Sequence, residues 1–138
     1  KQIESNMKYL IIILLPSIFI GQHIQYQDLL KRASVNNKAC DSLINQFNNQ
    51  NTNIEKGYLG AGLMIKAKHE KRVHHKWKYF QKGKKKLEDA INTEPNSIEL
   101  RKIRNYIQNN TPHFLNYKNN RTEDEFFIKK MSIEQKKR

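Results

Sequence analysis

The segment GYLGAGLMIKA, Gly57 to Ala67, is apolar on almost every side when wound into a helix. Tyr58, Ala61 and Ile65 form one side, and Leu59, Leu63 and Ala67 form another. A helix apolar on both sides is stable only when neighbours cover it from more than one direction. The rest of the chain must therefore supply at least two partners for it. Gly57, Gly60 and Gly62 each cost about 1 kcal/mol against Ala in a helix interior. Their presence points to close backbone contact. The order G-x-x-G-x-G fits neither the dinucleotide nor the Walker phosphate loop, and no strand pattern precedes it, so packing is the better reading.

The flanking pattern supplies helices and no sustained alternation. Tyr26, Leu29, Leu30 and Ala33 lie on one helical face, and Cys40, Leu43, Ile44 and Phe47 repeat that spacing. The polar run Asn48 to Asn53 separates this pair from the central segment. Lys76 to Asn92 reads as a long helix, with Trp77, Phe80, Gly83, Leu87, Ala90 and Ile91 inward and Lys78, Lys82, Lys85 and Lys86 outward. Of its aromatic residues, only Tyr79 is expected to face water. Pro95 ends it. Asn96 with Glu99, and Thr122 with Glu125, have capping-box spacing for two further helices. The first of these carries Leu100, Ile103, Tyr106 and Ile107 inward, and the second Phe127, Ile128 and Met131. HFLNYKNN, residues 113–120, reads as an irregular connection, and the basic C-terminal tail as frayed. The expected fold is all-α, with about six helices paired into antiparallel hairpins.

Upstream of these helices, Met7-Lys8 precedes the apolar run from Tyr9 to Ile20, closed by Gly21. A basic start, a short apolar core and a small residue form the pattern of a secretory signal peptide. A membrane anchor needs about 20 apolar residues, whereas this run has twelve and contains Pro16. The expectation is export to the periplasm or the medium, with Met7 as the start, residues 1–21 removed near Gly21/Gln22, and residues 22–138 forming one domain. A retained anchor is the alternative. The chain has one Cys, five Gly and three Pro in 138 residues. One thiol cannot close an internal disulfide, and Cys40, on an apolar stripe, is expected to be buried and inert.

Gly83, Leu87, Ala90 and Pro95 have the spacing of the second half of a tetratricopeptide repeat. The first half departs from it, with Lys71 and His74 where small and aromatic residues belong. The segment resembles a divergent tetratricopeptide-like hairpin, which implies a helical bundle or short solenoid. More broadly, GYLGAGLMIKAKH, KYFQKGKKKLEDAINTEPNSIELRKIR and NNTPHFLNY resemble an uncharacterised family of small exported bacterial proteins. That resemblance implies an all-helical fold and export, and it brings no known activity. HHKW stands where a Pro-containing turn would be expected.

Charge is concentrated rather than spread. The chain carries 26 Lys plus Arg against 13 Asp plus Glu, a net +13, and between Lys56 and Lys86 eleven basic residues face one acid, Glu70. Such clustering attracts polyanions by steering and counterion release. The candidate polyanion contacts are Lys68, Lys71, Arg72, Lys78, Lys82, Lys85 and Lys86. Their ligands would be anionic lipid, lipopolysaccharide phosphate, acidic polysaccharide or nucleic acid, and KWKYF has the look of a surface that stacks single-stranded bases. His69-Glu70…His74-His75 misses zincin spacing by one residue and sits among cations, so no metal is assigned. No nucleophile motif is present, and the adjacent carboxylates Glu88 and Asp89 point in different directions on a helix. The expectation is a non-enzymatic exported binding protein without a cofactor, meeting a protein partner of unknown identity in a groove between helix pairs. The alternative is a binder of anionic polymers or anionic membrane surfaces.

Overall fold

A computed structural model describes residues 28–137. It contains helical residues 28–35 (α1), then α2 (Asn37–Gln46), α3 (Asn53–His69), α4 (Val73–Thr93), α5 (Ile98–Asn110) and α6 (Arg121–Lys136). A single 3₁₀ turn, His113–Leu115, joins the last two. No strand occurs among the described residues. The all-helical expectation and its six helices hold. Tyr26 and the apolar run from Tyr9 to Ile20 lie outside the described residues. No described helix is long and apolar enough to cross a membrane.

α3 is the centre of the molecule. Tyr58, Leu59, Ala61, Leu63, Met64, Ile65 and Ala67 are all buried, on both of its apolar sides. The covering elements are α2, α4 and α5. The helix starts four residues before the apolar run because Thr52 and Glu55 form a capping box. The Thr52 hydroxyl accepts from the Glu55 N–H at 3.2 Å, and the Glu55 carboxylate accepts from the Thr52 N–H at 3.0 Å. That box lies across the end of the polar run expected to be a separator.

Two glycines set the distance between α3 and α4. A Cβ on Gly83 would lie 2.4 Å from the Gly60 carbonyl oxygen, and one on Gly60 would lie 2.7 Å from the Gly83 carbonyl oxygen. The backbones touch directly, and Phe80, Leu87, Ala90 and Ile91 fill in around the contact. On the other side of α3, Phe47 stacks on Tyr58 with ring centroids 5.4 Å apart. Cys40 is fully buried there and its thiol donates to the Gly62 carbonyl at 3.4 Å.

Burial pushes the Cys40 thiol up to about 11, so little thiolate is present at neutral pH. The shift from 9.0 makes the thiolate about a hundredfold scarcer in the folded chain at pH 8. Labelling by a disulfide reagent should therefore be slower by at least about that factor than in urea. The same shift has a defined sign in stability. The folded state keeps this proton where the unfolded state has released it, so stability should fall as pH rises from about 9 towards 11. Rapid labelling of the native protein would contradict this burial.

Three local readings change. α5 is capped by Ser97, whose hydroxyl accepts from the Leu100 N–H at 3.3 Å, rather than by Asn96. Glu99 instead accepts a hydrogen bond from the Tyr58 hydroxyl. α6 begins at Arg121 with no side-chain cap, so Thr122 and Glu125 do not form the expected box. Asp124, in the first turn, is fully buried where α6 meets Arg104 of α5. A cap is worth about 1 kcal/mol, less than leaving a buried charge unpaired, so the helix is set by its ion pairs. Trp77 is the third correction. It is 57% exposed and not in the core, while Phe80 is buried and Tyr79 is partly buried. The covered part of the α4 apolar stripe begins at Phe80, while Val73 and Trp77, nearer the start of the helix, stay exposed at 80% and 57%.

Candidate functional site

The uncovered part of α4 forms one wall of an open groove of about 520 Å³. Val73, Trp77 and Phe80 line it from α4, Met64 and Ile65 from α3, and Ile107 from α5. The far wall is the 3₁₀ turn and the residue before it, with Pro112, Phe114 and Leu115 lining the space. This wall is shaped by the chain reversal after α5. Asn116 adopts a left-handed conformation with φ of 48°, which Asn tolerates better than most residues. The turn brings Tyr117 into the core at 4% exposure, edge-on to Phe80 at 6.0 Å, and leaves Phe114 outside at 84%. Tyr117 was not expected in the core, because its segment lacks helical periodicity. With Val73 at 80% and Trp77 at 57%, the groove displays three large apolar side chains to water.

The groove has a charged rim of one sign. Lys68 and Lys76 line it, and no acidic residue does. Lys68 donates to the Ser34 carbonyl at 3.0 Å, while Lys76 has no acidic partner among the described residues.

The seven basic residues predicted as one patch occupy separate places. Lys68 belongs to the groove, and Lys71 and Arg72 lie exposed in the connection before α4. Lys78, Lys82, Lys85 and Lys86 project from the side of α4 opposite Val73 and Phe80, as the 3.6-residue turn requires. Asp89 partly neutralises this stripe by pairing with Lys85 at 2.8 Å, and it also meets Lys56 at 3.9 Å. Lys85 and Lys56 together hold its carboxyl below the usual range. Lys78, Lys82 and Lys86 have no acidic partner among the described residues. Two other lysines of the run serve the fold. Lys66 pairs with Asp41 at 2.7 Å, and Lys84 sits 5.1 Å from the centre of the Tyr117 ring.

Glu88 and Asp89 diverge, as adjacent helical residues must. Glu88 enters a buried cluster joining α4, α5 and α6. Arg104, 3% exposed, grips both oxygens of Asp124 at 2.7 Å and reaches Glu88 at 2.9 Å. Arg101 adds contacts to Asp124 at 2.8 Å and Glu123 at 2.7 Å, and the Tyr117 hydroxyl donates to Glu88. Burial pulls the Arg104 guanidinium down, but Asp124 and Glu88 raise it by more. Burial first, and Glu88 beside it, push the Tyr117 hydroxyl up. Every charge here has an opposite partner, and Arg104 and Asp124 at its centre are buried, which makes the cluster a tie between helices. Gln108, fully buried one turn on, has both side-chain polar atoms without a hydrogen-bond partner, yet it does not line the groove.

The histidines do not converge on a metal. His69 contacts the Ala33 carbonyl at 2.8 Å, and His75 lies 3.7 Å from Glu70. Among the described residues no group of three His, Cys, Asp or Glu is placed to hold an ion. Comparison with protein-family models, curated proteins and solved structures returns no match to this chain.

Proposed function

We propose that the chain is an exported, non-enzymatic helical binding protein whose protein partner seats in the groove beside α4. The observation that carries this reading is the exposure of Val73, Trp77 and Phe114 around one apolar depression. Exposed aromatic residues rimmed by polar groups are how soluble proteins present docking surfaces. Export rests on the Met7 to Gly21 pattern. A divergent tetratricopeptide-like arrangement of antiparallel hairpins is consistent with the packing of α3 on α4 and of α5 on α6. Such hairpins bury one face on neighbours and offer another to partners.

Lys78, Lys82 and Lys86 favour a second reading, in which the opposite side of α4 binds a polyanion of the cell envelope. They lie one helical turn apart and span about 12 Å. One experiment separates the two surfaces. W77A/F114A and K78E/K82E/K86E variants are compared with the native protein for envelope partners retained at high salt and for retention on heparin resin. Loss of the salt-resistant partner from the first variant alone supports the groove. Loss of salt-sensitive heparin binding from the second alone supports the polyanion surface. The W77A/F114A protein should keep its stability within about 1 kcal/mol, because both side chains are mostly in water.

A further inference from the structure

We infer that the groove selects an acidic, amphipathic helical segment of the partner protein, an inference that rests on the groove reading above. Shape argues for a helix. Val73 to Phe80 spans two turns of α4, about 10 Å, which matches apolar side chains at i, i+3 or i+4, and i+7 of an opposing helix. Trp77 and Phe114 stand on the two walls, and Met64, a flexible thioether, lines the floor where side chains of different shape would insert. An acyl chain would leave those walls half wetted, whereas a helix brings its own polar back to cover them.

Charge argues for acid. The groove is lined by Lys68 and Lys76 and by no carboxylate, and Lys71 and Arg72 are exposed immediately before Val73. The nearest acid in the chain, Glu70, faces His75. The N-terminal end of α4 has no side-chain cap and no acid in its first turn, so its dipole adds to the same positive field. A basic amphipathic helix would meet like charge at this end, and an acidic one gains both contact and steering.

The chain has a single tryptophan, Trp77, so its emission reports on this groove. Two synthetic helical peptides of about 14 residues share one leucine stripe and differ only in carrying Glu or Lys at the polar positions. They are titrated into the full protein at about 0.15 M salt, where the Debye length is about 8 Å, with laurate as a third probe. The Glu peptide is expected to shift Trp77 emission to the blue and to bind about tenfold more tightly than the Lys peptide. K71E/K76E should abolish that preference, and K78E/K82E/K86E, on the far side of α4, should keep it. Equal binding of both peptides with a blue shift overturns the acid selection and leaves the groove reading standing. No shift with either peptide overturns both. A shift with laurate alone overturns the helical partner in favour of an anionic amphiphile. Loss of preference in K78E/K82E/K86E alone would also overturn it, by assigning the attraction to the distant stripe.

Discussion

Gly83→Val is expected to destabilise the protein by on the order of 4 kcal/mol and to lower its Tm by about 20 °C. The added side chain has nowhere to go. Its Cβ would lie 2.4 Å from the Gly60 carbonyl oxygen and 2.8 Å from the Met64 backbone nitrogen, both parts of a helix that can move only as a whole. Separating α3 from α4 uncovers the most extensive helix contact among the described residues. For a domain with about 5–15 kcal/mol in total, that is a large fraction. Gly57→Ala is the control. Its nearest neighbour is the tip of the Leu100 side chain, which can rotate, and the helix gains about 1 kcal/mol from alanine. It should stay within about 1 kcal/mol of the native protein. Thermal and urea denaturation of the two variants check both values, and an unchanged Tm for Gly83→Val would show that the helices do not touch here.

Asp124→Ala is expected to cost about 3–5 kcal/mol. It strips Arg104 of the carboxylate that pairs two of its nitrogens, and it leaves that guanidinium 3% exposed with Glu88 as its remaining charge partner. A buried ion pair is not in itself a large source of stability, because desolvation of both charges offsets their attraction. R104M/D124L, which removes both charges and restores apolar volume, should therefore recover at least half of the loss. Urea midpoints of the native protein, D124A and R104M/D124L decide the matter. A double variant no more stable than the single one would show that the orphaned Arg104 charge is not the source of the loss.

Helix number, the central position of α3 and the burial of Phe80, Leu87, Ala90, Ile91, Leu100, Ile103 and Ile107 were legible from periodicity alone. Periodicity works there because those helices are covered along one continuous face. It failed for Trp77, since the pattern records which face a residue is on and not whether a neighbour reaches that far along the helix. Tyr117 was missed for the converse reason. It enters the core from a 3₁₀ turn and a left-handed Asn116, and no repeat marks that path. The spacing of Thr122 and Glu125 was a misleading capping signal, because carboxylates near a helix start suit both a cap or dipole role and a buried pair such as Asp124 makes. Only Arg104, twenty residues away, distinguishes the two.

The order of residues settled the helices and the glycines through which α3 and α4 touch, since both follow from side-chain period and size within a short stretch of chain. Which lysines border the groove, and where apolar side chains such as Val73, Trp77 and Phe114 remain in water, depended on how the helices and the turn after α5 pack together. That is a matter of relative placement. Residues far apart in the chain meet only after folding, and the groove between α3, α4 and the 3₁₀ turn exists only where their ends fail to cover one another.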